Sequence, residues 1–103
     1  MSTLDAKQAD AMISPIDRAR ELLGRMTLAE KIGQMSQLEA GHGHPPEYLG
    51  DRLRAGAVGS VINVVDVNVV NELQRIAVEE SRLGIPLLVG RDVIHGFKTV
   101  FPI

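Results

Sequence analysis

Gly90–Gly96, with the sequence Gly-Arg-Asp-Val-Ile-His-Gly, contains the side chains best suited to chemistry. The segment begins where the apolar run 85–90 ends, and such a run is typical of a buried strand. Because α/β domains bind ligands at the carboxyl ends of parallel strands, Asp92 is well placed to accept hydrogen bonds from substrate hydroxyls. Asp92 could also cap the next turn or pair with Arg91. His95 lies beside a glycine, which favours a structural histidine bonded to backbone over a catalytic one.

Asn63 and a pair of histidines are weaker candidates. Asn63 lies near the end of the apolar run 58–65, so it could contact a ligand or simply terminate a strand. His42 and His44 have a spacing that could ligate a metal, but no cysteine or carboxylate triad accompanies them. We therefore predict solvent-exposed loop histidines, no metal site and no cofactor.

Motifs of several common enzyme classes are absent from the sequence. There is no Gly-x-Ser-x-Gly nucleophile elbow and no His-Glu-x-x-His metal motif. Gly56-Ala57-Val58-Gly59 is not a phosphate-binding loop, because it lacks the Gly-Lys-Ser/Thr ending and precedes a strand.

The composition is that of one small globular domain, with 103 residues of which 45% are hydrophobic and 23% charged. A formal net charge of −2 argues against a nucleic-acid or anionic-membrane surface, since both require clustered Lys and Arg. The chain has no cysteine, which excludes disulfides and thiolate-ligated metal sites. No apolar run approaches the roughly 20 residues of a membrane span, and we expect no signal peptide at the start of the chain.

Helix signals are clear from Ser14 onward, after a polar lead-in over residues 1–13 that is predicted to be flexible. Ser14, followed by proline, predicts an N-cap, and Thr27 with Glu30 predicts a capping box. Residues 14–36 are therefore expected to form two short helices with a break near Thr27. The apolar side chains expected to pack against the core are Leu28, Ile32 and Met35 of the second helix, together with Met26.

The rest of the chain alternates helices with strands. The predicted elements are a helix at 47–55 ended by Gly56, a strand at 58–65, a helix capped by Asp66 or Asn68 and ended by Gly84, a strand at 85–90 and a loop at 91–103. Both strands are apolar throughout, which predicts burial on both faces of a parallel sheet and a right-handed crossover between them. A third strand is expected if Gln34–Leu38 is extended rather than helical.

The predicted fold class is α/β, and the predicted sheet is incomplete. Two or three parallel strands leave both sheet edges open, and the last apolar residues have no helix to cover them. We therefore expect the opening βα units of a larger α/β domain.

Several linked segments resemble family 3 glycoside hydrolases. Leu23–Met35, with the sequence Leu-Gly-Arg-Met-Thr-Leu-Ala-Glu-Lys-Ile-Gly-Gln-Met, is similar to the stretch that opens the first domain of these enzymes. The further segments that resemble the family are Gly56–Asn63, Ser81–Val89, Asp92–Gly96 and Thr99–Ile103. The resemblance covers about residues 16–103 in order and spacing, and it is greatest for the bacterial periplasmic β-glucosidase type.

The resemblance implies a (β/α)8-like barrel, of the TIM type, with residues 14–103 as its N-terminal part. It implies retaining hydrolysis of β-linked glucosides or oligosaccharides from the non-reducing end, and it gives Asp92 the role of binding hydroxyls of the sugar. His95 and Asn63 are expected to support that site. The family's nucleophile, in a Ser-Asp-Trp-like motif, and its acid/base glutamate have no match here, so no catalytic residue is assigned. The family allows a periplasmic or a cytoplasmic location.

Two interpretations follow for the chain as a molecule. In the first, it is the N-terminal piece of a β-glucosidase whose partner is the remainder of the enzyme; alone, it should be inactive and should associate through its open sheet edges. In the second, it is a small non-catalytic α/β module that binds a sugar or a protein. An assembly protein whose open edges pair with another chain is a more remote alternative.

Overall fold

A computed structural model describes residues 13–40, 46–98 and 100. Within these ranges the chain forms four helices and three short strands. The elements are α1 (Pro15–Arg25), α2 (Leu28–Gln34), β1 (Gln37–Glu39), α3 (Pro46–Arg54), β2 (Ser60–Ile62), α4 (Val67–Glu79) and β3 (Leu88–Gly90). The predicted α/β class is therefore confirmed. A third strand is present as β1, at Gln37–Glu39 rather than at Gln34–Leu38, because Gln34 is the last residue of α2.

The helix starts follow the capping residues of the sequence. The Ser14 hydroxyl accepts a hydrogen bond from the amide of Asp17, and Pro15 is the first helical residue of α1. At Thr27 both bonds of the capping box are formed, with Glu30 as the reciprocal partner. These caps satisfy amides that have no partner inside the helix, which is why the chain breaks at Thr27 as predicted.

The three strands are parallel and lie in the order β1-β2-β3. In the register, Glu39 is opposite Ile62, and Ile62 is opposite Gly90. The carboxyl ends of all three strands therefore lie at one edge of the sheet, which we call the carboxyl edge. The handedness of the crossover from β2 to β3 stays a prediction.

The hydrophobic core lies between the sheet and helices α3 and α4. Val61 of β2 is 0% exposed, and Leu49 and Leu73 bring α3 and α4 against it. Burying side chains of this size removes much apolar surface from water, and this is the main favourable term in forming the unit. The other members of the core are Leu53, Val58, Val64, Ile76, Ala77 and Leu87.

The predicted bounds of three elements are wrong. The strand predicted at 58–65 is limited to Ser60–Ile62, the strand predicted at 85–90 is limited to Leu88–Gly90, and α4 ends at Glu79 rather than at Gly84. Gly84 instead lies in the following turn with a φ of 63°, a conformation that glycine adopts without steric conflict.

The predicted burial of the last strand and of the second helix is also wrong. Leu88 of β3 is 71% exposed, because β3 is an edge strand and one of its faces has no cover among the described residues. Met35 is 81% exposed, and Leu28 and Ile32 are exposed as well. Helix α2 reaches the rest of the fold through buried Gly33 instead, which leaves those three side chains outside the contact. Met26 is half-buried.

None of the helices in the described ranges is long and apolar enough to cross a membrane.

A charged cluster joins α2 to the turn after α4. The Glu30 side chain is only 11% exposed, and its two carboxylate oxygens accept hydrogen bonds from the Arg82 guanidinium at 2.5 and 3.2 Å. Arg82 also donates to the carbonyl of Arg25 at 2.7 Å, at the end of α1. The bonds from Arg82, followed by the amide of Thr27, lower the pKa of Glu30 from its ordinary 4.5 to about 2.

This lowered pKa predicts a loss of stability in acid. Since the Glu30 carboxyl has a lower pKa in the folded chain than in the unfolded chain, its contribution is present above pH 4.5 and is lost as the pH falls towards 2. Glu30→Gln keeps an acceptor for the capping box but removes the charge that Arg82 binds. We expect the midpoint of thermal unfolding to fall in this variant at pH 6, and the gap to the parent to narrow at pH 3.

Glu21→Gln is the matched control, because Glu21 forms an exposed ion pair with Arg25 at 3.7 Å. Exposed pairs of this kind contribute little, so this variant should match the parent at both pH values. A Glu30→Gln gap that stays the same at pH 6 and pH 3 would contradict the assignment.

Candidate ligand site at the carboxyl edge

Polar residues stand at the end of each strand at the carboxyl edge. Glu39 is the last residue of β1, Asn63 follows β2 directly, and Asp92 lies two residues beyond β3. Because the strands are parallel and in register, these three residues from distant parts of the sequence come together. This is the edge at which parallel α/β folds bind their ligands.

Asn63 connects all three strand ends. Its Oδ1 accepts a hydrogen bond from the Asp92 amide at 3.0 Å, and its Nδ2 donates to Glu39 Oε1 at 3.5 Å. Its own amide donates to the Gly90 carbonyl at 2.9 Å, which extends the pairing of β2 with β3 by one residue. Asn63 therefore joins the two residues that carry carboxylates at this edge.

Asp92 has one carboxylate oxygen in a local turn. Its Oδ1 accepts a hydrogen bond from the Ile94 amide at 3.2 Å, which is an Asx turn. The turn-capping role that the sequence left open is thus present. Among the described residues, Oδ2 of Asp92 has no hydrogen-bond partner, and the Asp92 side chain is exposed. The bond to Oδ1 restrains the carboxylate, and Oδ2 is available to a ligand.

Arg91 has a different partner from the one considered in the sequence. Its guanidinium donates to the carbonyl of Asn63 at 3.2 Å and lies 4.4 Å from the centre of the Phe97 ring. In the described part of the chain the ion pairs do not include one between Arg91 and Asp92. Arg91 thus fastens the segment after β3 to the end of β2, and in the described part of the chain it forms no ion pair with the Asp92 carboxylate.

The histidines contribute less to the site than Asn63. His95 is exposed in the turn after Asp92, and no hydrogen bond of its side chain lies within the described ranges, so its supporting role stays a prediction. His42 and His44 fall outside the described residues. Within those residues, no group of three or more His, Asp or Glu side chains is arranged to hold a metal ion.

Glu39 is the member of the site that sequence reasoning missed. The composition of segment 39–46 predicts a loop, so Glu39 does not stand out as a strand end. Extending the conditional strand at Gln34–Leu38 by one residue would have placed Glu39 at its carboxyl end. The bond from Arg91 to the backbone of Asn63 had no signal in the sequence, because it depends on where two distant strands meet.

A parallel sheet with helices against it and polar residues at its carboxyl edge is the arrangement of α/β domains, whose ligand sites lie at the carboxyl ends of the strands. The family model described as "Glycosyl hydrolase family 3 N terminal domain" matches residues 27–103. The chain therefore belongs to glycosyl hydrolase family 3, and the resemblance found in the sequence is confirmed.

Two curated relatives agree with this assignment. The chain is 40% identical over 83 residues to a periplasmic beta-glucosidase of Salmonella typhimurium, with 81% of this chain and 11% of that protein aligned. It is 28% identical over 109 residues to a lysosomal beta glucosidase of Dictyostelium discoideum, with 79% of this chain and 13% of that protein aligned. The chain thus spans only a small part of the length of the curated relatives it matches.

Proposed function

We propose that this chain is part of an enzyme that hydrolyses β-glucosides with retention of configuration, and that it contributes Asp92 as a sugar-binding carboxylate. The position of Asp92 carries the proposal: it follows a parallel strand, and one carboxylate oxygen has no partner among the described residues. The beta-glucosidase names of both relatives support the reaction.

The order of the strands supports a barrel as the larger fold. In a (β/α)8 barrel each strand pairs with the next strand of the chain, whereas a doubly wound sheet reverses its order at a switch point. Here β1, β2 and β3 are adjacent in chain order, with α3 and α4 between them. We therefore propose that residues 14–103 belong to a (β/α)8-like barrel domain and that residues 1–13 precede it.

The chemistry of Asp92 suits a sugar hydroxyl. A carboxylate accepts hydrogen bonds and donates none, and hydrogen bonds to charged groups are stronger than those between neutral groups. In glycoside hydrolysis such bonds strengthen as the sugar approaches its oxocarbenium-like transition state. Asp92 therefore binds the sugar in this proposal, and the attacking carboxylate and the proton donor of the retaining mechanism are other residues.

The partner of the site is a β-linked glucoside or oligosaccharide. Without the nucleophile and the acid/base residue, the 103 residues alone are expected to bind sugar weakly and to turn over none. The remainder of the enzyme would also cover the exposed apolar face of β3.

Expression of the complete reading frame that contains this chain tests the proposal. The protein is incubated with 4-nitrophenyl β-D-glucoside and with the α-anomer, and proton NMR records which anomer of glucose is released first. We expect hydrolysis of the β-glucoside with β-glucose as the first product. A folded protein that hydrolyses no β-glycoside would overturn the proposal that it is an enzyme. If calorimetry then shows that this protein binds glucose, it is a non-catalytic sugar-binding module.

A further inference from the structure

Asn63 has a backbone conformation that few residues adopt. Its φ is 72°, in the left-handed region, which glycine enters freely because it has no Cβ and which asparagine and aspartate tolerate better than other residues. Asn63 follows β2 directly, in the short connection that leads to Asp66, the N-cap of α4. The position therefore restricts the choice of residue, and asparagine adds a side chain that glycine lacks.

The orientation of the Asn63 amide follows from its partners. The Asp92 amide can only donate, so the atom facing it at 3.0 Å must be the oxygen of Asn63. The nitrogen then faces Glu39, whose carboxylate can only accept. Both contacts agree with one orientation of the amide, and reversing it would place donor against donor and acceptor against acceptor.

Two separate hydrogen bonds restrain Asp92, one at its main-chain amide and one at its side-chain carboxylate. The Asp92 main chain donates to Asn63 Oδ1, and the Asp92 carboxylate accepts from the Ile94 amide. Arg91 adds a third connection, from its guanidinium to the Asn63 carbonyl. Because residues 91–98 contain no helix or strand, these bonds replace the regular structure that would otherwise hold the segment.

From this arrangement we infer that Asn63 is a positioning residue, whose side-chain amide fixes the main chain at Asp92 and thereby aims the Asp92 carboxylate at the sugar. The inference rests on the proposed function for the role of Asp92, but the contact itself does not. Glu39 contributes by holding the far end of the Asn63 amide. Asn63 touches no substrate in this account and acts only through Asp92.

Substitutions at position 63 test the inference in the complete enzyme. Asn63→Gly keeps the left-handed backbone and removes the amide, so the fold should persist while the Asp92 amide loses its acceptor. Hydrogen exchange followed by mass spectrometry, with fragmentation to single residues, reports on that amide. We expect exchange at Asp92 to become about tenfold faster, and kcat/KM for 4-nitrophenyl β-D-glucoside to fall about tenfold.

A double variant provides the rescue. Asn63→Asp keeps an acceptor for the Asp92 amide but sets two carboxylates against each other. Adding Glu39→Gln replaces the second carboxylate with an amide, which can donate to the new carboxylate at position 63. We expect Asn63→Asp with Glu39→Gln to restore slow exchange at Asp92 and to recover most of kcat/KM. Asn71→Asp on the exposed side of α4 is the control for added charge and should change neither quantity.

The outcomes separate this inference from the proposed function. Unchanged exchange at Asp92 in Asn63→Gly overturns the positioning role, whatever the enzyme hydrolyses. Faster exchange with unchanged kcat/KM also overturns the positioning role. The hydrogen bond between Asn63 and the Asp92 amide would then restrain the main chain without affecting how the enzyme binds the sugar. If the parent protein hydrolyses no β-glucoside, the proposed function fails, and the exchange data alone show that Asn63 restrains Asp92.

Discussion

Replacing Asp92 with alanine is expected to lower kcat/KM for an aryl β-glucoside at least about a hundredfold in the complete enzyme. The carboxylate would bind sugar hydroxyls more tightly in the transition state than in the ground state, and such bonds supply several kcal/mol in glycoside hydrolysis. Each 1.36 kcal/mol corresponds to about tenfold in rate, so a loss of about 3 kcal/mol gives the expected size. Initial rates over a range of substrate concentrations measure the effect.

The Asp92→Asn variant distinguishes the negative charge of Asp92 from its role in the Asx turn. Asparagine can still accept the bond from the Ile94 amide, because it forms Asx turns as aspartate does. This variant should therefore unfold at the parent's temperature and still lose activity. Asp51→Asn on the exposed surface of α3 controls for the loss of one negative charge and should retain full activity. If the activity of Asp92→Asn were within about twofold of the parent's, the sugar-binding role of the Asp92 carboxylate would be contradicted.

Replacing Gly33 with alanine is expected to destabilise the fold by about 3 kcal/mol, at the upper end of the range for overpacked sites. A Cβ on Gly33 would overlap the carbonyl oxygen of Gly56 and lie 2.8 Å from the Cα of Ala57. Both obstacles are backbone atoms just before β2, so no side-chain rotation can relieve the contact. Helix α2 would have to move away from the strand, and the midpoint of urea unfolding measures the result.

Gly24→Ala is the matched control and should have the opposite sign. Gly24 lies inside helix α1, and a Cβ built on it meets nothing within 4 Å. Alanine restricts the unfolded chain without adding strain, so we expect a gain of about 0.5–1 kcal/mol. Equal effects of the two substitutions would contradict the close approach of α2 to the segment before β2.

Local signals in the sequence predicted the starts of the helices well. Ser14, Thr27 and Asp66 each accept a hydrogen bond from the first turn of a helix, and that chemistry lies within a few adjacent residues. The strands were predicted too long, because an apolar run shows which residues favour burial but not how many find a partner. Met35, the C-cap of α2, shows the same limit, since its exposure depends on which face of α2 meets the segment before β2.

The site could be predicted only in part for a similar reason. Asp92 was found because it lies just past an apolar run, two residues beyond Gly90, and that relation is visible along the sequence. The contact between Asn63 and Asp92 joins residues 29 positions apart and exists only because β2 and β3 pair in one register. Glu39 depends on a further strand, so its place at the edge required the complete order of the sheet.

The order of the strands also affects how the chain is made. Since β2 pairs with β1, and β3 with β2, each of these later strands finds a partner among residues that the ribosome has already released. Domains synthesised from the amino end can then grow by addition of one βα unit at a time, without waiting for a distant segment. Until the next strand is added, the newest strand presents an unpaired edge, which is a template for pairing with another chain.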